Sequence, residues 1–275
     1  TGVQTCALPI SNPQTIPVVV TYDINSGTDL TINVPASGTS TIAHPTATAG
    51  SFTYNLVSVA YQSEPACSNP ISGNATVTIY PTPTVNPITD QTICANANTL
   101  VTALAGPVSG TTFTWTNSNT TIGLAASGTG NVPSFTATNT TSNPISGTIT
   151  ITPTANGCPG TPFIYRITVN PTPSATIIGG TTVCQNSTSP LVTFTNPTSL
   201  AISVTYDING TLQTPVAVTG NGSATVSVPT TTAGTFNYRL VSVAFQSNPN
   251  CLTGLSGTTT VVVNPQPVAA AEPAS

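Results

Sequence analysis

The sequence predicts an all-β protein made of tandem β-sandwich repeats, and three observations support this fold class. The 275 residues include 26 Pro and 21 Gly, spaced too closely for long helices. Between them lie short alternating segments rich in Thr, Val and Ile, such as TVTIY, TITIT and TTTVVV, which are typical of strands. Residues 12–83 and 196–267 also align without a gap at a constant offset of 184, with close to half of the positions identical.

Three Pro-X-Pro segments divide the chain. They lie at 81–83, 171–173 and 265–267, which are 90 and 94 residues apart, and Pro favours short, semi-rigid linkers. The sequence therefore predicts modules in the order A-B-A. These are a truncated first module at 11–83, a middle module of a different type at 84–173, a third module at 174–267 related to the first, and the start of a further repeat at 268–275.

Residues 1–10, TGVQTCALPI, do not share in the repeat and resemble a translated sequencing adapter, so we interpret them as artefactual. The offset of 184 places the counterpart of Cys184 immediately before residue 1. We therefore expect the first module to lack its opening strand and its first cysteine.

The third module shows the elements most clearly. Turn sequences INGT, TGNGS and TTAG separate its apolar segments. Leu240 lies where the apolar face of a long strand changes side, so we expect either two covered faces or a β-bulge there. The predicted strands are 175–183, 190–195, 201–208, 214–219, 223–228, 235–246 and 258–264. About seven strands in about 90 residues is the size of an immunoglobulin-like sandwich.

Composition limits the partner classes. The formal net charge is −4, and the basic residues are Arg166 and Arg239. Nucleic-acid binding requires clusters of cations that contact phosphates, so this class of function is excluded. No apolar run reaches the roughly 18 residues of a membrane span. With 38% apolar residues, the chain still has enough apolar side chains for a folded core.

The cysteines recur at corresponding places in the middle and third modules. Cys94 and Cys184 open the middle and third modules, and Cys158 and Cys251 precede their last strands. We predict disulfides Cys94–Cys158 and Cys184–Cys251, as in an oxidising extracellular compartment, and we expect Cys67 to be unpaired because of the truncation. Free buried thiols are the alternative, and a metal site is less favoured because there is no CxxC pair.

The sequence predicts no catalytic, cofactor-binding or metal-binding site. His44, the only His, has Val228 as its counterpart, so we expect it on a surface strand or turn rather than in a catalytic site. Asp23 and Asp207 recur in VTYDIN, where turn capping is favoured over a calcium site. No recurring carboxylate pair suits glycoside hydrolysis.

Aromatic residues offer two interpretations. They could form a sugar-stacking platform, or they could fill the core between two sheets, and their alternation within predicted strands favours the core. The residues concerned are Trp115, Tyr22, Tyr54, Tyr206 and Tyr238.

Specific motifs of the middle module carry a resemblance. ITDQTICANANT, GTTFTWTNSN and YRITVNPTP closely resemble the PKD-like repeats of large surface proteins from gliding bacteria, and the flanking modules resemble the related immunoglobulin-like modules. The resemblance extends from about residue 11 onward. It implies tandem immunoglobulin-like (PKD-like) sandwiches in an exported protein, often a type IX cargo, that serves as an adhesin or a stalk.

These observations together predict a non-enzymatic segment of a secreted or cell-surface protein. We expect a stalk or a multivalent adhesin, with no cofactor, whose partners are surface glycans or other cell-surface proteins. The alternative is a set of carbohydrate-binding or accessory modules of a larger secreted enzyme.

Overall fold

The computed structural model describes residues 6–65 and 67–269, which form β-strands and turns with a 3₁₀ helix at Thr120–Ile122. The all-β prediction is confirmed. Part of the adapter-like segment (1–5) and most of the expected further repeat (270–275) lie outside the described residues.

The strands follow the modules. The first module contains β1 Cys6–Ser11, β2 Val18–Ile24, β3 Leu30–Val34, β4 Thr39–His44, β5 Gly50–Tyr61, β6 Ser68–Pro70 and β7 Asn74–Ile79. The middle module contains β8 Gln91–Cys94, β9 Thr112–Asn117, β10 Ser127–Thr129, β11 Ile145–Ala155, β12 Cys158–Pro159 and β13 Phe163–Asn170. The third module contains β14 Thr176–Ile178, β15 Thr181–Cys184, β16 Leu191–Thr195, β17 Ile202–Ile208, β18 Thr211–Leu212, β19 Val216–Val218, β20 Ser223–Ser227, β21 Gly234–Phe245, β22 Leu252–Gly254 and β23 Thr258–Asn264.

The third module is a two-sheet sandwich. One sheet has the order β14-β16-β20, and the other has the order β15-β23-β21-β17-β18, with β19 also on β17 and β22 also on β21. The predicted strand 175–183 is in fact two strands in different sheets, because Gly179 at φ +120 turns the chain between them. The second of these strands, β15, carries the opening cysteine Cys184 and is called the opening strand below; it pairs in parallel with the last strand β23.

A β-bulge resets the long strand β21, in agreement with one of the two expectations. Thr205 pairs with Ser242 and Tyr206 pairs with Leu240, so Val241 is the extra residue. The first module has the same shift, with Thr21 opposite Ser58 and Tyr22 opposite Leu56. The bulge allows apolar side chains on both sides of the shift to face the core.

The first module reproduces most of this arrangement. Its sheets have the orders β1-β4 and β3-β2-β5-β6, with β7 also on β5. Ala7 pairs with Ala43 and Ser11 with Thr39, which at the offset of 184 is the register of Leu191–Ser227 and Thr195–Ser223. Residues 7–10, interpreted as artefactual, therefore occupy the position of β16 of the third module, while the described residues include no counterpart of β14 or β15.

The middle module has a sheet with the order β10-β9-β11-β13-β8, and β12 also pairs with β11. As in the third module, its opening strand β8 pairs in parallel with its last strand β13. Each module has its own apolar core, which is most extensive in the third module and is divided into two smaller clusters in the first.

By their internal contacts the described residues form two compact units. One contains the chain as far as Pro83 together with Val108–Thr111 and Thr154–Gly160. The other contains the remainder of the middle module and the third module.

Candidate functional site

The predicted cysteine pairing within modules is wrong. Cys94 of the middle module is bonded to Cys251 of the third module, 157 residues away, with a Cα–Cα distance of 5.6 Å. Cys67, Cys158 and Cys184 are free and exposed. The disulfide therefore joins two successive repeats within one compact unit.

Strand geometry explains why Cys94 does not reach Cys158. Cys94 lies opposite Asn170, at the end of β13, whereas Cys158 precedes the start of β13 at Phe163. The eight residues of β13 separate them by about 25 Å at a rise of about 3.3 Å per residue. A disulfide requires Cα atoms within about 7 Å.

The same reasoning applies to Cys184 and Cys251. Cys184 lies opposite Asn264, near Gly234 at the start of β21, whereas Cys251 accepts a hydrogen bond from the N–H of Phe245 at the end of β21. The twelve residues of β21 place these two cysteines at opposite ends of the module. We call the end with the opening cysteine the exit end, and the end with the late cysteine the entry end.

The junction between the middle and third modules has a hydrogen bond as well as the disulfide. The N–H of Ser199 donates to the carbonyl of Ser142 at 3.0 Å. Cys94 packs against the third-module core, and Cys251 is buried in it. The junction is therefore partly apolar and partly hydrogen-bonded.

The aromatic residues considered for sugar stacking are buried. Trp115 is 3% exposed, and the four Tyr range from 1% to 9%. Tyr22 stacks on Tyr54 and Tyr206 on Tyr238, with centroid distances of 6.1 and 6.2 Å. Burial raises the pKa of Tyr238, with a smaller contribution from Tyr206. These five rings are therefore not available to stack on a sugar.

The recurring aspartates cap turns. Asp23 Oδ1 accepts from the N–H of Ser26 at 2.7 Å, and Asp207 Oδ1 accepts from the N–H of Gly210 at 3.1 Å. Asp207 also pairs with Arg239, whose Nη2 lies 2.7 Å from Oδ2. The hydrogen bond from Arg239 lowers the pKa of Asp207.

His44 is not on the surface, contrary to the sequence expectation. It is 9% exposed at the end of β4, its ring packs against Phe52 at a centroid distance of 4.0 Å, and Nδ1 hydrogen-bonds to the Tyr54 hydroxyl. The imidazole occupies a core position that its counterpart Val228 fills in the third module.

Within residues 6–65 and 67–269, no group of three or more His, Cys, Asp or Glu could hold a metal ion. The same residues contain no helix with the length and apolar character needed to cross a bilayer.

The first module has an apolar groove of about 300 Å³. Its lining includes Tyr22, Leu56 and Gly73. At the equivalent place in the third module, Ile177 of β14 lies near Gly257 and the fully buried Leu240. The groove therefore corresponds to the position of a strand that the described first module does not contain.

Comparison with known proteins supports the fold described above. Residues 91–173 match the PKD-like domain family. A mutated variant of a three-immunoglobulin fragment of titin is 9% identical, with a TM-score of 0.53, over 96% of this chain and 94% of the titin fragment. An I-band fragment of titin gives the same identity and coverage with a TM-score of 0.50.

These likenesses show the fold. A Ca²⁺-stabilized adhesin of an Antarctic bacterium is 17% identical over 96% of this chain and 70% of its own, but its TM-score of 0.32 is too low to support further conclusions. No curated protein matches the sequence significantly. The chain therefore has the fold of tandem immunoglobulin-like β-sandwich repeats, and residues 91–173 form a PKD-like domain within it.

Proposed function

We propose that the chain is a non-enzymatic structural and adhesive segment of a secreted or cell-surface protein, acting as a stalk or a multivalent adhesin. The observation that carries this proposal is the Cys94–Cys251 bond between successive repeats. A covalent tie restrains the two modules relative to each other, which benefits a spacer. Each module also has a core of its own, so reach or valency can grow with the number of repeats.

The disulfide supports an extracellular location, because such bonds persist in oxidising compartments and are rare in reducing ones. The surface chemistry is compatible with this setting. Charged residues make up 3% of the sequence, while Thr, Ser and Asn supply an uncharged polar surface that could contact glycans.

The side chains best suited to catalysis already have structural partners. His44 is buried against Phe52 and Tyr54, and Asp207 is held by Arg239 and a turn N–H. A general base must reach a substrate proton within hydrogen-bond distance, which a buried and occupied group does not do. This supports a binding or spacing role.

Carbohydrate-binding or accessory modules of a larger secreted enzyme are the alternative. Burial of Trp115 and the four Tyr means that a sugar site would have to use other side chains. Recovering the complete reading frame would separate these proposals. Further repeats with an export or sorting signal would support the stalk or adhesin, and a hydrolase domain in the same frame would support accessory modules.

A direct test uses beads coated with the oxidised chain. Binding to a glycan array or to cells, increasing steeply with coating density, is expected of a multivalent adhesin. If the chain is a spacer, the chain itself should not bind. A lectin attached to the bead through the chain should then capture more glycan than the same lectin attached directly. Turnover of a polysaccharide or peptide by the purified chain would overturn the non-enzymatic proposal.

A further inference from the structure

We propose that the repeats follow a staggered disulfide rule, in which the opening cysteine of each repeat bonds to the late cysteine of the repeat that follows it. Cys94–Cys251 is one such bond. Under this rule Cys184, Cys158 and Cys67 are positions for further bonds between repeats. The inference does not depend on what the repeats bind.

The first support is the local equivalence of Cys184 and Cys94. Each ends an opening strand that is parallel to the last strand, and each lies opposite an Asn of that strand, Asn264 or Asn170. The carbonyls of both cysteines accept an N–H three residues later, at 3.2 Å. Cys184 thus has the backbone setting of a cysteine that bonds the next repeat.

The turns after the two opening cysteines are also equivalent. Asn96 and Asn186, two residues beyond each cysteine, both have the left-handed conformation, at φ 66 and 64. Each donates its N–H to a neighbouring loop, Asn96 to Ala137 and Asn186 to Thr230. Because the two turns are alike, the backbone follows the same path at Cys94 and at Cys184. The two cysteines differ in that Cys94 is disulfide-bonded and Cys184 is free and exposed.

The second support is the equivalence of the late cysteines. Cys67 and Cys251 each immediately precede a short strand, β6 or β22, that pairs with the second half of the long strand. Cys158 is the first residue of β12, which pairs with the end of β11. All three cysteines therefore lie at the entry end of their modules.

The third support comes from the positions of the two ends. The opening cysteine lies at the exit end, where the last strand finishes and the chain leaves for the next repeat. The late cysteine lies at the entry end, which faces the preceding repeat along the chain. An opening cysteine is thus near the late cysteine of the following repeat and far from that of its own.

The fourth support is the grouping of Thr154–Gly160. This segment, which carries Cys158 in the middle module, belongs to the same compact unit as the first module. Cys251 likewise reaches back to the middle module. Under the rule, the position that pairs with Cys158 is the first-module equivalent of Cys94 and Cys184.

The chemistry of each bond is an ordinary dithiol oxidation. Two thiols lose two protons and two electrons as the S–S bond forms, and a disulfide oxidant such as oxidised glutathione takes them up and becomes two thiols. Cys158 and Cys184 are exposed, so an oxidant can reach them.

The first experiment uses the chain as it is. After folding with oxidised glutathione, free thiols are alkylated, and the protein is digested without reduction and analysed by mass spectrometry. The rule predicts a linked Cys94–Cys251 peptide, with Cys184 and Cys158 alkylated in the monomer. Linked Cys94–Cys158 or Cys184–Cys251 peptides would overturn it.

The second experiment restores an opening cysteine. Residues 1–10 are replaced by a copy of residues 174–194, the third-module segment that aligns with them and with the preceding positions. The rule predicts that the grafted copy of Cys184 bonds to Cys158, while Cys94–Cys251 is retained. The matched control carries Ser at the grafted cysteine and should leave Cys158 alkylated.

Circular dichroism of both grafted chains establishes that the β-structure is intact before the bonds are mapped. A bond from the grafted cysteine to Cys67 would show pairing within modules and would overturn the rule. A folded graft in which the new thiol and Cys158 both remain alkylatable after oxidation would overturn it as well.

Discussion

The indole ring of Trp115 lies across the backbone of Gly128 on the neighbouring strand. The two residues are directly opposite in the β9–β10 pair, and a Cβ added to Gly128 would lie 2.3 Å from Cζ2 of the ring. Glycine at this position allows the largest side chain of the middle module to cover the adjacent strand while remaining 3% exposed.

Gly128→Ala should therefore destabilise the middle module, because the added methyl group forces the indole out of its position. We expect a loss of about 1–3 kcal/mol in the free energy of unfolding, the usual range for overpacking. Denaturant unfolding followed by fluorescence measures it, since Trp115 is the single Trp of the sequence. Ser127→Ala, at the exposed neighbour in the same strand, is the control and should change stability by less than about 0.5 kcal/mol.

Removing the disulfide between repeats should destabilise the middle and third modules together. A closed loop of 157 residues corresponds to as much as about 5 kcal/mol in the chain-entropy model. Cys94→Ala and Cys251→Ala should have similar effects on thermal unfolding, and the double variant should be little worse than either single variant. Cys158→Ala, at a free and exposed cysteine, serves as the control. A larger effect at Cys158 than at Cys94 would contradict the assigned pairing.

The Asp207–Arg239 pair should make the stability of the third module depend on acidity. The pKa of Asp207 in the folded protein lies below the ordinary value of 3.8, so the Asp207 carboxylate stabilises the fold above pH 3.8. This contribution should be lost as the pH falls from 3.8 through the lower, folded-state value. The melting temperature of Asp207→Asn should be below that of the parent at pH 7, and the difference should shrink in strong acid.

The first module provides a matched comparison for this pair. Asn55 occupies the position of Arg239 and donates from Nδ2 to Asp23 at 2.8 Å, so the aspartate has a neutral partner. Arg239→Asn reproduces that pair in the third module and should reduce its acid-dependent loss of stability. An unchanged pH profile for this variant would mean that the guanidinium is not the cause.

Filling the groove should stabilise the first module. The graft of residues 174–194 with Ser at its cysteine supplies counterparts of Ile177 and Val183 without a new disulfide, and burying such side chains contributes about 1.5–3 kcal/mol each. A higher melting temperature of the first module and weaker binding of a hydrophobic dye are expected. The same graft with Ile177→Ser in the grafted copy should lose much of the gain.

Much of the fold could be predicted because strand alternation and turn residues are local signals. The predicted strands 258–264 and 223–228 agree with β23 and β20 to within a residue. The sequence also indicates the bulge beside Leu240, because the apolar residues change from one face of the strand to the other there. The split of 175–183 was missed because both halves are extended. Only the conformation at Gly179 directs them into different sheets.

The cysteine connectivity could not be found by the same means. The regular spacing shows that each complete module has one opening cysteine and one late cysteine. It does not show which of these cysteines are adjacent in space. The decisive information is the parallel pairing of β8 with β13, which fixes Cys94 at the exit end. Similarly, Val228 as the counterpart of His44 signalled an apolar position, and this could have indicated that the imidazole is buried.

The bond between Cys94 and Cys251 also determines how the chain responds to tension. When the two termini are pulled apart, load passes from residue 94 directly to residue 251, and the polypeptide between them carries none of it along its backbone. Unravelling is then limited to the residues outside this loop. After reduction, unfolding of the intervening residues under load would release about 530 Å of additional extended length, at roughly 3.4 Å for each of the 157 residue steps. The same force would therefore extend the chain much further in a reducing environment than in an oxidising one.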